Sequence, residues 1–198
     1  MNAVREIGVG AALRFLFTTL FLALYGVLLF PPLRAVALRL VGARVGRDCV
    51  IHATRFFNAY RTGFPGLTMG DKCFVGDDCL IDLADRIVLE DQVTLAERVT
   101  ILTHTNVGYA DHPLQPYFPA FTAPVTLKRG AFIGVNATIL PGITVGEGTF
   151  VAAGSVLTQD TPPWSLVAGV PARVLRNLRD TPALGDTPKG DDAKTEGV

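Results

Sequence analysis

The chain has 198 residues, and its 18 Lys plus Arg are balanced by 18 Asp plus Glu, so the formal net charge is zero. That length is one domain, or one domain with a small accessory segment. The zero balance removes the basic surplus that a general nucleic-acid binder needs. With 18% charged residues and a mean hydropathy of +0.36, the composition is too apolar for a disordered chain. Three cysteines at irregular spacing give neither a disulfide framework nor a zinc pattern. Histidine chemistry is limited to His52, His104 and His112.

Residues 1–40 form the first segment. Phe15 to Leu33 is an uncharged apolar run, long enough to be a transmembrane candidate. Pro31-Pro32 is expected to end its helix, because neither proline can donate a backbone hydrogen bond. A cleaved signal peptide is a competing reading, since Ala35-Val36-Ala37 has the form of a cleavage site. A buried core helix is another, but few soluble helices are apolar all round. A membrane anchor, spanning or re-entrant, accounts best for the run. Arg34, Arg39, Arg44 and Arg47 follow it, which puts the downstream domain on the cytoplasmic side of the inner membrane. Leu33 to Val41 has arginines five apart among apolar residues and suits a short amphipathic helix at the membrane surface.

Residues 41–176 repeat with a period of six. Units open on an aliphatic residue or Met69: Val45, Ile51, Met69, Val75, Ile81, Leu89, Leu95 and Ile101, then Leu127, Ile133, Ile139, Val145, Val151 and Leu157. The fifth place is usually small, as at Cys49, Cys73, Cys79, Val99, Ala131, Ala137 and Ser155; Arg55, Asp85 and Ile143 are exceptions. Six is a multiple of the strand period of two and fits no helical repeat. It is the mark of a parallel β-helix, an all-β solenoid in which three hexads make one coil. The cysteines then read as small buried packing residues, and reduced thiols agree with a cytoplasmic domain. Asp180 to Val198 lacks aromatics and periodicity, so the tail, residues 177–198, is expected to be disordered.

The repeat stops between Asn106 and Leu127 for twenty residues that carry Tyr109, Tyr117, Phe118 and Phe121. A long excursion in a compact solenoid is usually functional. Alternation within the preceding hexad turns Ile101, Thr103 and Thr105 inward, and leaves Leu102, His104 and Asn106 facing out. An outward histidine beside an aromatic loop suits a general base near neutral pH. His112 lies within the loop and is the second candidate. Asp82 and Asp78, one coil earlier, could orient a histidine as the carboxylate of a dyad does.

The hexads, the excursion and the closing stretch resemble the hexapeptide-repeat acyltransferases, among them the maltose, galactoside and serine acetyltransferases. Ala131-Phe132-Ile133-Gly134-Val135 is similar to the family's N-V-W-I-G signature, with Phe132 in place of Trp. Ala168-Gly169-Val170-Pro171-Ala172-Arg173 looks like its closing G-x-P-A-K/R motif. The resemblance implies a left-handed parallel β-helix, a homotrimer with sites between subunits, and acetyl-CoA or another acyl-CoA as donor. It also implies a histidine that deprotonates an acceptor hydroxyl, with no metal. By position, Gly134, Ala152, Gly154 and Ser155 would line the donor and Arg173 would meet a CoA phosphate. One departure is informative. The sugar acetyltransferases end this hexad in T-x-x-H, and here Thr103-His104-Thr105-Asn106 puts Asn106 in that place, so His104 is the leading base and Asn106 could orient the base or the acceptor. The N-terminal helix looks like that of membrane-tethered relatives. The expected activity is transfer of an acyl group, acetyl first, to a hydroxyl of a sugar, glycolipid or other membrane-linked acceptor. A non-catalytic trimeric scaffold and a γ-carbonic-anhydrase-like enzyme with three histidine ligands are the alternatives.

Overall fold

The computed structural model describes residues 9–180; the expected disordered tail lies, from residue 181 onward, outside the described residues. The hexads close into a parallel β-helix of three flat faces. One face stacks Arg44–Val45, Leu67–Met69, Ile87–Leu89, Val125–Leu127 and Thr144–Val145. The second stacks six parallel strands from Val50–Ile51 to Ser165–Gly169, and Ala172–Asn177 folds back antiparallel on the last of them. The third stacks Thr54–Phe57, Cys79–Asp82, Thr100–Ile101, Thr138–Ile139 and Val156–Leu157.

The opening aliphatic residue of each hexad fills the prism. Ile133 pairs in register with Leu95 on one side and Val151 on the other, and all three are fully buried. Each burial of this kind removes apolar surface from water at about 25 cal/mol per Å², so the stack is held by a continuous aliphatic column. The small fifth residue leaves room for the chain to turn. Cys49, Cys73 and Cys79 are buried there, each with its Sγ 3.1 Å from a carbonyl oxygen of the next coil. Burial raises the Cys73 and Cys79 thiols to about 11, which keeps them protonated and unreactive. Arg55, an exception in the hexad reading, is explained by a shortened turn. Thr54 pairs with Cys79 and Phe56 with Ile81, so Thr54 takes the inward place and Arg55 faces out.

The N-terminal segment differs from its sequence reading. Helix α1, Val9–Gly26, stops before the prolines, and Pro31 and Pro32 open a second helix, α2, Pro31–Leu40. Proline suits the first helical positions because their N–H groups have no intrahelical partner. At 1.5 Å per residue, α1 is about 27 Å long, and among the described residues no helix is long and apolar enough to cross a membrane. A spanning anchor finds no support among the described helices. The apolar run is divided between two helices, and one face of α1 is spent on the protein. Phe21 meets Phe64 edge-on at 4.8 Å, Tyr25 meets Phe56 at 5.7 Å, and Phe15 meets Tyr60 at 5.7 Å. From α2, Leu38 is fully buried over Ile51, Met69 and Val75 and plugs the open end of the prism. The opposite face of α1 exposes Leu13, Leu16, Phe17, Leu20 and Leu24.

Leu38→Ala is expected to cost about 2–5 kcal/mol, the usual price of a cavity under a core leucine. A lowered urea midpoint at unchanged slope would show it.

Candidate active site

The site is built on the third face, where the coil leaves its regular path. After Thr100–Ile101 the chain runs out through His104–Thr105, which pairs antiparallel with Phe121–Thr122 and so closes the long excursion as a two-stranded ribbon. Thr103 is fully buried and His104 half-buried, so the predicted alternation holds at the position that matters. Thr105 is only partly buried, because the ribbon has already begun to peel away from the prism.

Asp82, at the end of Cys79–Asp82, is completely buried beneath His104. Its Oδ2 lies 2.5 Å from His104 Nδ1 and accepts the Thr103 N–H at 2.9 Å. Its Oδ1 accepts Asn58 Nδ2 at 2.8 Å and the Ala84 N–H at 3.1 Å. Burial alone would push the Asp82 carboxyl up. The hydrogen bonds from His104, Asn58 and Thr103 outweigh it and hold the group below the ordinary carboxylate range. A carboxylate only accepts, so His104 Nδ1 carries the proton donated to Asp82. Nε2 is then left with its lone pair, the arrangement a general base requires.

The sequence reading missed Asn58. It precedes a short helix, α3, Ala59–Thr62, and sits at φ 56°, in the left-handed region that asparagine tolerates better than most residues. That backbone turn aims its amide at Asp82 and brings it to 3.4 Å from His104 Nδ1. Phe57, one residue earlier, meets the His104 ring edge-on at 6.2 Å. Arg61, from α3, lines a cleft of about 230 Å³ with His104, Thr105, Asn106, Phe121 and Thr122. The available signal was the first break in the hexad phase, residues 57–68, which carries Phe57, Tyr60 and Phe64.

The other candidates fall as follows. Asn106 lines the same cleft, but its Oδ1 accepts the Gly108 N–H at 3.0 Å and ties down the start of the loop. His112 Nδ1 accepts the Leu114 N–H at 3.2 Å, a loop-stabilising bond, and the fold does not bring it to the dyad. Asp78 is exposed and lines a different cleft, with Arg34 and Arg55, so it does not orient a histidine. His52 pairs with Asp77 at 3.4 Å and packs on Phe74 of the second face. The three histidines therefore do not converge as a ligand set would. Among the described residues, no group of three or more His, Cys, Asp or Glu side chains could hold a metal ion.

Gly134, Ala152 and Ala168 follow the paired strands of the second face, at one corner of the prism, and Arg173 pairs with Ala168 on the closing hairpin. Gly154 lies just beyond at φ 69°, exposed. Ser155, expected to line the donor, turns its side chain into the coil. Its side chain is 1% exposed and its Oγ accepts the Gly169 N–H at 3.3 Å, inside the coil. This corner and His104 lie at opposite ends of the third face within one chain, since each coil reaches His104's end only after crossing that face.

The pH dependence of stability follows from Asp82. Its folded value lies below its unfolded one, so its contribution is complete above roughly pH 4–5 and is lost as the pH falls through the folded value. Urea midpoints measured from pH 7 downward should fall more steeply for the wild type than for Asp82→Asn.

Comparison with known proteins adds to this geometry. Residues 124–159 match the family model for the bacterial transferase hexapeptide (six repeats). The chain is 38% identical over 69 residues to the galactoside O-acetyltransferase of Escherichia coli K12, which is 35% of this chain and 34% of that protein. It is 45% identical over 62 residues to a 2,3,4,5-tetrahydropyridine-2,6-dicarboxylate N-acetyltransferase of Enterococcus faecalis, 31% of this chain and 27% of that protein. The matches thus span about a third of the length of these relatives or less. Among solved structures, a maltose O-acetyltransferase from Clostridium difficile 630 superposes with a TM-score of 0.72 at 26% identity, covering 86% of this chain and 89% of its own. A galactoside acetyltransferase in complex with coenzyme A superposes with a TM-score of 0.75 over 97% of this chain and 92% of its own; at 23% identity it speaks for the fold alone. Six-residue phase, three-faced coil and these matches together make the chain similar, over part of its length, to the bacterial hexapeptide-repeat transferases.

Proposed function

We propose that the chain is an acyl-CoA-dependent O-acyltransferase, with acetyl as the first acyl group to test, acting on a hydroxyl of a membrane-associated sugar or glycolipid. The observation that carries this is a histidine whose Nδ1 is fixed on a buried, fully hydrogen-bonded carboxylate beside an open cleft. In the reaction, His104 Nε2 takes the proton of the acceptor hydroxyl as its oxygen attacks the thioester carbonyl carbon. The carbonyl electron pair moves to oxygen, giving a tetrahedral oxyanion that backbone N–H groups can stabilise. Collapse expels the CoA thiolate, which takes the proton back from the imidazolium. Asp82 stays ionised throughout, holding the ring in place and stabilising its positive form.

The donor would lie along Gly134, Ala152 and Gly154, with Arg173 near a phosphate. Those residues and His104 occupy opposite ends of one face, which favours a site completed between adjacent copies and hence a homotrimer of left-handed coils. The exposed apolar face of α1 and α2 favours attachment at a membrane surface without crossing it, and the arginines that follow favour the cytoplasmic side.

The test is transfer of radiolabelled acetyl from acetyl-CoA to detergent-extracted membrane glycolipids and to free sugars. Ester-linked label that appears with wild type and disappears with His104→Ala is the expected result. Absence of both label and CoA release would move the protein to the scaffold reading.

A further inference from the structure

Where α1 ends against the first coil, a second cleft of about 230 Å³ is lined by Tyr25, Arg34, Thr54, Arg55 and Asp78. Arg34 is only 5% exposed, yet among the described residues no carboxylate lies within ion-pairing distance of it. Its Nε donates to the Leu28 carbonyl at 2.5 Å and its guanidinium lies 5.9 Å from the Tyr25 ring centre. That bond uses one of five N–H donors. Neither terminal nitrogen has a hydrogen-bond partner among the described residues. The Tyr25 hydroxyl is buried without a partner, and burial pushes its pKa up, so it remains a neutral donor.

A buried guanidinium is expensive without a counterion and, unlike lysine, cannot escape by losing its proton. The polar atoms waiting here are nearly all donors: two guanidinia and a phenol. That set matches the several acceptor oxygens of a phosphate, which arginine forks engage two at a time. Asp78 on the wall is the one opposing charge; it is exposed, with its backbone N–H bound to the Ala53 carbonyl. Val27, next in the chain to Gly26 of the cleft wall, is exposed and offers an apolar start for a chain attached to the phosphate.

We propose that this cleft is an anion site that takes a phosphate group through Arg34, Arg55 and the Tyr25 hydroxyl. It is separate from the His104 cleft, and the inference stands whether or not His104 is a base. The phosphate could be the headgroup of a lipid whose chains lie on α1, or free inorganic phosphate.

Calorimetry on the full chain in an uncharged detergent separates these sources, with dihexanoylphosphatidic acid and inorganic phosphate as probes. Tighter binding of the lipid assigns a headgroup; equal affinity assigns free phosphate. In either case Arg34→Gln and Arg55→Gln should weaken binding at least tenfold, and Asp78→Asn should strengthen it. Arg44→Gln, an exposed arginine outside the cleft, should change nothing. If Arg34→Gln does not fold, Arg55→Gln carries the test, because Arg55 is exposed and outside the core. Binding of neither probe by wild type overturns the proposal. So does wild-type affinity in Arg55→Gln, or an equal loss in Arg44→Gln.

Discussion

His104→Ala is expected to lower kcat by about 10²–10⁴-fold, the range a positioned general base supplies, while leaving the affinity for acyl-CoA unchanged. The separation follows from the roles proposed: His104 meets the acceptor hydroxyl, whereas the donor would be held along Gly134, Ala152 and Gly154. Asp82→Asn should approach the same loss for a different reason. An asparagine amide turned toward Nδ1 would favour the tautomer with its proton on Nε2, and the base would lose its lone pair. Asn58→Ala removes only one of four hydrogen bonds to the carboxylate, so its effect should be smaller, roughly tenfold, the rate equivalent of about 1.4 kcal/mol. The order His104, Asp82, Asn58 in severity, read from steady-state kinetics at saturating donor, checks the assignment of roles.

Gly134→Ala is expected to destabilise the fold by several kcal/mol, on the order of 3. A Cβ on Gly134 would stand 2.6 Å from Ala153 N and 2.7 Å from Val151 O. Both are backbone atoms of the next coil, so no side chain can swing aside to admit the methyl group. Neighbouring coils would have to separate, at the point where the Gly134 N–H donates to Val151 O at 2.8 Å. By contrast, Gly154→Ala meets nothing within 4 Å and carries only the cost of its positive φ of 69°. Thermal unfolding of the two variants side by side should show a much larger drop for Gly134→Ala. Its loss would register even without CoA, which separates coil packing from donor binding.

The hexad phase made the coil legible because it depends on local alternation: a fully buried residue such as Ile139 or Val145 every six positions, with a small residue in the fifth. His104 was legible for the same reason, since its outward direction follows from Ile101 and Thr103 facing in. The partnership with Asp82 was harder to see. It joins residues 22 apart across coils, where the register is set by two extra residues in the intervening coil. Asn58 and Arg61 were invisible because they sit in the first break of the repeat, where no period predicts direction. The packing of the N-terminal helices was not legible because hydropathy counts apolar residues without saying which face a protein surface covers. Tyr25 is a core residue while Leu20 is exposed, and both belong to the same apolar run. Ser155 was expected to line the donor by its place in the terminal coils, although the fifth position of its hexad already turns its side chain inward.

Acetyl-CoA binding measured by calorimetry, on the full chain in detergent and on His104→Ala, tests the central claim most directly. The account predicts micromolar binding by both proteins, with turnover lost only in the variant. Absence of acetyl-CoA and CoA binding by the folded wild type would contradict it.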